Sequence, residues 1–311
     1  MLFAIQSEMT AFLYGHNPYG PVLMADGREV LHGYPPMLWL SYLPLFVMHF
    51  DIRYLNVFAQ GLFYLFLLDL FIRKKNYPFK NSYSNIGCFL ALFLLHLFSK
   101  QATRQPIDVH TGPYWLYWTL FLWLLSRNQI KKSFWLIPLL LLCREPAILF
   151  LLPFAIVTYV NNKKLFFEAT LKSIVVGLLI AGPFIFWDAS LFFKGIKFYS
   201  HHIYENPLEI MVRFYGFSGI LKWTDTLWLQ KPLQCIGVII SCLILYRKKA
   251  ILSLGESLAL GGLSYLWLML CVSLSYPFIY TEVIILFYAL LLWPNEQCTV
   301  QSRSSHTIPI S

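Results

Sequence analysis

The sequence predicts an all-α, polytopic integral membrane protein with about nine transmembrane or span-like helices and an interfacial helix near its N-terminus. Three observations carry that expectation. Of 311 residues, 58% are hydrophobic and only 13% charged, whereas soluble domains run to roughly 45–50% apolar and about 25% charged. The apolar residues come in runs such as "FLALFLLHLF" that are apolar on every face, which argues against the period-two alternation of a membrane β-barrel. The basic residues stand at the ends of those runs, in "RKK" (73–75), "RNQIKK" (127–132), "NNKK" (161–164) and "RKK" (247–249), as they do in cytoplasmic loops.

The same placement disposes of nucleic acid as a partner. A net charge of +9 is not gathered into a patch interleaved with exposed aromatics; it is distributed among helix ends, so the bilayer is the expected partner. The six cysteines, at 88, 143, 235, 242, 271 and 298, contain no C-x-x-C. Cys235 and Cys242 share a helical face, but zinc wants four ligands. No disulfide framework, metal cluster or cofactor is expected, and the pair reads as lipid-facing or core packing.

Taken in order, the apolar runs cover 36–50, 55–72, 86–98, 113–125, 134–143, 146–160, 171–187, 232–246, 251–274 and 277–293. One topology collects every basic cluster inside. It requires residues 36–50, opened by Pro35 and Pro36 and interrupted by Pro44, to lie along the outer interface without crossing. Residues 55–72 then run inward, 86–98 outward and 113–125 inward. The short pair 134–143 and 146–160 forms a hairpin turning at Arg144 and Glu145, 171–187 runs outward, and the remaining runs leave the C-terminus cytoplasmic. The chain reads as a single membrane domain: an outer polar segment and interfacial helix (1–54), central spans (55–187), a main outer loop (188–231), and C-terminal spans with a short tail (232–311). Ionisable and aromatic residues concentrate on the outer side, as a polar-ligand site requires.

Three stretches carry a family resemblance. "FLYGHNPYGP", "YPPMLWLSYLPLFV" followed by "DIRYLNVFAQGLFYLF", and the later "PFIFWDASLFFKGIKFYS" resemble the first outer loop, the following span and the opening of the main outer loop in multi-spanning GT-C glycosyltransferases of the bacterial mannosyltransferase-like branch. The resemblance implies a hexosyltransferase of the bacterial inner membrane. Such an enzyme transfers a sugar from a polyprenyl-phosphate donor to a glycan, lipid or protein acceptor on the extracytoplasmic side. That chemistry needs a carboxylate to deprotonate or orient the acceptor and cations to stabilise the leaving phosphate.

The resemblance also places the catalytic acid about a dozen residues before "GHNPY", at the very start of this chain, so the first span and its acid are expected to be missing. No signal-peptide pattern precedes the motif. The role then falls to an upstream segment or to Glu8, Asp26 or Glu29. Candidate substrate-binding residues are Asn17 and Tyr34 in the motifs themselves, Arg53 at the outer corner, Arg104, Asp108 and His110 on the next outer loop, Arg144 at the hairpin, and His201, His202 and Arg213 in the main outer loop. Arg53 suits a lipid phosphate because a guanidinium binds it bidentately; the alternative for it is snorkelling to headgroups. Arg144 with Glu145 reads either as an inward-facing site or as mutual neutralisation. The aromatic stripe 114–125 reads as packing or an interfacial belt before sugar stacking. Two rivals stand beside the transferase: a transporter or flippase for a polar or lipid-linked substrate, and an inactive GT-C-like subunit.

Overall fold

The computed structural model describes residues 2–23, 29–31, 33–75, 112–144, 147–205, 221, 224–248 and 254–271. The described residues are mostly helical: α1 (Leu2–Leu13), α2 (Pro36–Leu40), α3 (Leu43–Val47), α4 (Tyr54–Lys75), α5 (Gly112–Ser126), α6 (Ile130–Ser133), α7 (Ile137–Cys143), α8 (Ala147–Asn161), α9 (Lys163–Glu205), α10 (Gln230–Lys248) and α11 (Leu254–Cys271). The expected runs 86–98 and 277–293 lie outside the described residues.

The mostly helical structure is consistent with the all-α expectation, with one small addition. β1 (Pro21–Leu23) and β2 (Glu29–Leu31) form a small antiparallel ribbon in the register Pro21↔Leu31, Val22↔Val30 and Leu23↔Glu29. The five residues joining the strands contain Asp26-Gly27, a dipeptide that favours hairpin turns.

Local chemistry sets the remaining ends. α1 stops at Gly15, which adopts φ 75°; the His16 N–H donates to the Ala11 carbonyl and the Gly15 N–H to that of Phe12, the paired bonds of a Schellman cap. Residues 36–50 form not one helix but two of five residues each, about 7.5 Å apiece at 1.5 Å per residue, far short of the roughly 30 Å hydrocarbon layer. α2 buries Pro36, Leu38 and Trp39, whereas α3 buries nothing and is followed by half-exposed Met48 and Phe50.

The expected run 171–187 ends where predicted, at a break in α9. Asp188 leaves helical geometry at φ −160° and ψ 97°, and its Oδ1 accepts the Leu191 N–H at 2.9 Å, a side-chain cap that starts a second helical stretch. The main outer loop assigned to 188–231 is therefore helical as far as Glu205. "ASLFFKGIKFYSHHIYE" carries apolar residues at helical spacing behind a capping aspartate, which is why it continues as helix.

The helices pack closely. α8 and α11 touch backbone to backbone: a Cβ on Gly261 would stand 2.6 Å from the Phe150 Cα. α10 and α11 are joined by Ser264 Oγ to Ser241 Oγ (2.6 Å) and by the Trp267 indole N–H to the Leu233 carbonyl (2.7 Å). Small residues and interhelical hydrogen bonds are what hold helices together where the surroundings are apolar. The aromatic stripe of α5 is core: Tyr114, Trp115, Trp118 and Phe121 are buried, with Trp118 edge-on to Phe121 and Phe150. Outside, Leu171, Leu178, Leu179 and Phe186 on α9 and Ile239, Ile240 and Leu243 on α10 are exposed. Among the described residues one helix segment, Lys163–Gly195, is long and apolar enough to cross a membrane; Tyr54–Leu70 and Ala147–Asn161 are shorter apolar helices.

The charged groups sort to two ends of the bundle. Arg127 after α5 pairs with Asp69 near the end of α4, and Lys131 of α6 pairs with Glu168 at the start of α9. Leu245 near the end of α10 packs with Val157 near the end of α8, which brings Arg247 and Lys248 to the same end. The opposite end holds α1, the ribbon, α2 and α3, the starts of α4 and α5, Arg144 and the Asp188 break.

Candidate functional site

The candidate site lies at that second end, where "GHNPY", "YPPMLW" and "PFIFWDASLFF" meet in one buried cluster. α1 contributes Ala4, Ile5 and Met9, the "GHNPY" turn contributes Tyr19, the "YPPMLW" stretch contributes Tyr34, Leu38 and Trp39, and α9 contributes Ala181, Phe184 and Phe192 around the Asp188 break. Tyr19 is edge-on to both Phe184 (5.9 Å) and Phe192 (5.1 Å), and Trp39 to Phe184 (5.4 Å). Gly33 closes the join: a Cβ there would stand 1.8 Å from the Gly195 carbonyl carbon, so glycine permits the "YPP" stretch to lie directly on the α9 backbone.

Glu8 sits inside this cluster with no exposure. Its Oε1 accepts the Tyr34 N–H at 3.0 Å, which ties α1 to the start of the "YPP" stretch. Its Oε2 is buried and makes no hydrogen bond among the described residues, and the buried Tyr19 hydroxyl and Trp39 indole nitrogen belong to the same cluster. Burial raises the Glu8 carboxyl well above the ordinary carboxylate range, and the Tyr34 N–H opposes that only in part. Burial likewise raises the Tyr19 phenol, opposed in part by the Trp39 indole and reinforced slightly by Glu8. Burial thus favours the protonated form of Glu8, whose O–H is a hydrogen-bond donor.

Beside the cluster, an open pocket of about 390 Å³ is lined by Gln6, Phe46, His49, Phe50, Asp51 and Arg53. The sequence assigns Arg53 a lipid phosphate or headgroups as its partner. Arg53 is instead forked onto Asp51: its Nε approaches both carboxylate oxygens at 2.9 and 2.8 Å, and its Nη2 also bonds Asp51 Oδ2. Asp51 is held below the usual carboxylate range by these bonds. The pair is half-exposed, so an incoming phosphate meets a guanidinium that must exchange one anion for another. The D-x-R spacing in "FDIRY" was the signal for this partner.

The other expected site residues are spread along the same end. The Asn17 Oδ1 accepts the Tyr19 N–H at 2.9 Å, which shapes the "NPY" turn and orients the tyrosine inward. Glu29 stands in β2 opposite Leu23. Arg144 is extended after α7, half-buried, with its guanidinium 5.4 Å from the centre of the Tyr114 ring. Close by, the Tyr42 hydroxyl donates to Asn56 Oδ1 at 2.5 Å, and a Cβ on Gly112 would stand 1.9 Å from that oxygen. His201 and His202 lie in the last turns of α9. Asp26, Arg104, Asp108, His110 and Arg213 lie outside the described residues, as does Glu145. Sequence reasoning missed Trp39 and Tyr19 as neighbours of Glu8, and Asp188 as a cap; only the aspartate had a local signal, an acid placed before a resumed apolar run. No group of three or more His, Cys, Asp or Glu is placed to hold a metal among the described residues.

Compared with family models, with curated proteins and with solved structures, the chain matches none at a significant level.

Proposed function

We propose that the protein is a polytopic membrane glycosyltransferase of the GT-C type, which takes a sugar from a polyprenyl-phosphate donor and transfers it to a glycan, lipid or protein acceptor at the outer face of a bacterial inner membrane. The observation that carries this reading is the convergence of "GHNPY", "YPPMLW" and "PFIFWDASLFF" in one cluster, although Tyr19 and Phe184 are 165 positions apart in sequence. Stretches that resemble one family's motifs pack as one unit, and a ribbon bearing Glu29 lies next to them.

The membrane setting is supported by the large apolar side chains exposed on α4, α8, α9 and α10, the kind of surface that marks a membrane or protein contact. The gathering of basic residues at one end supports the proposed orientation, with that end cytoplasmic. Residues 36–50 fit an outer interfacial position, since neither of their helices is long enough to cross.

Within this reading Glu8 positions rather than reacts. The acceptor-activating role goes to Glu29 of β2 or to Asp26, three residues before it in sequence, and Arg53 and Arg144 provide cationic contacts for the donor phosphate, joined by Arg104. An inactive subunit of the same architecture is the second reading. It draws on the burial of Glu8, which keeps that carboxyl out of reach of an acceptor in water.

The test is a proteoliposome assay with a polyprenyl-phospho-hexose labelled in the sugar. Label should move to acceptor or water, and Glu29→Gln or Asp26→Asn should slow it at least about a hundredfold, the lower range for a lost general base. Arg53→Gln and Arg144→Gln should weaken donor binding by about ten- to a hundredfold, as loss of a charge-assisted contact does. Donor binding without transfer would select the inactive subunit; neither binding nor transfer would overturn both readings.

A further inference from the structure

At the cytoplasmic end of the proposed topology, one carboxylate is set among three lysines. Lys164, Glu168 and Lys172 recur at four-residue spacing and share a face of α9, and α6 brings a third lysine to them: Lys131 Nζ stands 3.1 Å from Glu168 Oε2. Lys164 and Lys172 act electrostatically on the same carboxylate. The arrangement is rigid at its base, because the Ser173 hydroxyl donates to the Phe134 carbonyl at 2.5 Å and Phe166 is edge-on to Phe134. All four charged side chains are exposed, so the local excess of positive charge faces outward.

The next face of α9 is apolar. Phe167 and Leu171 are exposed by 61% and 64%, followed by Ile174, Val175 and Leu178, and Trp135 beside α6 is half-exposed. A charged strip with unmatched lysines thus borders a strip that accepts hydrocarbon. Lys172 lies eight residues beyond Lys164, about 12 Å along the axis, and its aliphatic stem lets the ammonium turn back toward the headgroups.

Resting on the membrane reading above, we propose that this corner is a binding site for one anionic phospholipid of the surrounding leaflet. Its phosphate takes the place of Glu168 between Lys131 and Lys172, and an acyl chain lies along Phe167, Leu171 and Val175. Charge complementarity selects the occupant: three cations against one carboxylate leave an excess that a zwitterionic headgroup does not neutralise, and basic residues at a membrane surface draw anionic lipid at about 1 kcal/mol each. Glu168 is then a competitor for the lysines and not simply a stabilising partner, which gives the proposal an unusual sign.

The experiment uses the full-length protein in phosphatidylcholine nanodiscs, with phosphatidylglycerol added in steps and the lipids retained on the protein counted by native mass spectrometry. Wild type should retain one phosphatidylglycerol in preference to phosphatidylcholine. Lys131→Gln and Lys172→Gln should each weaken that preference about fivefold, Glu168→Gln should strengthen it, and Lys248→Gln on α10 should leave it unchanged. Weaker binding in Glu168→Gln would overturn the proposal, because it would make the carboxylate an organiser of the lysines. An equal loss in Lys248→Gln would reduce the effect to bulk charge and overturn it too. Preference for undecaprenyl phosphate over phosphatidylglycerol at equal mole fraction would overturn the assignment to a bulk phospholipid. Failure to enter phosphatidylcholine nanodiscs would overturn the membrane reading and this site with it, whereas normal insertion with no lipid preference would overturn this site alone.

Discussion

Replacing Glu8 by glutamine separates the burial of this carboxyl from its hydrogen bond. The side chain has no exposure, and its Oε1 accepts the Tyr34 N–H at 3.0 Å. Glutamine keeps an oxygen for that N–H and is nearly the same size, so at low pH, where the wild-type carboxyl is neutral in both folded and unfolded chains, stability should change by less than about 1 kcal/mol. The two proteins should diverge as pH rises. The folded carboxyl sits well above its ordinary value of 4.5 because burial penalises the charge. Above that pH the unfolded chain releases a proton that the folded chain still holds. Stability of the wild type therefore falls by roughly 1.4 kcal/mol for each pH unit until the folded carboxyl itself ionises, and Glu8→Gln lacks this slope. Glu8→Ala also removes the acceptor and leaves a void, at a cost of about 2–4 kcal/mol. Thermal unfolding in detergent between pH 4.5 and 8 measures all three. Parallel pH profiles for wild type and Glu8→Gln would refute the placement of Glu8 as a buried neutral acid, as would a harmless Glu8→Ala.

Further expectations follow from the contacts around the cluster. Gly33→Ala would drive its Cβ into the Gly195 backbone and should destabilise by at least about 2 kcal/mol; an unchanged melting temperature would mean that the "YPP" stretch does not rest on α9. Asp188→Ala removes the cap on Leu191 and should cost about 1 kcal/mol, seen as earlier melting, whereas Asp188→Asn retains an acceptor and should lose less; equal effects would remove the capping explanation. On a cysteine-free background, an impermeant thiol reagent should reach a cysteine at Lys194 in intact cells but not one at Lys248, both exposed positions. The reverse labelling would invert the topology.

Much of the helical architecture was written locally. Runs apolar on every face reproduce α4, α5 and α8, and the end of the run at 187 coincides with the Asp188 break, because hydrophobic length and an adjacent capping acid are properties of contiguous sequence. The prolines at 35, 36 and 44 likewise announced a segment that cannot continue as a single helix. The β ribbon was missed although Asp26-Gly27 marks it, because two strands of three residues are outweighed by the surrounding helical periodicity. What only the tertiary structure decided is which polar atoms meet: Glu8 with the Tyr34 N–H, Tyr19 with Phe184, Gly33 with Gly195, Asp51 forked onto Arg53. All but the last of these pair residues far apart in the chain, and whether a carboxyl is charged or neutral depends on the dielectric its neighbours create. Composition could place Glu8 near a motif; only packing sealed it from water and changed what it can do.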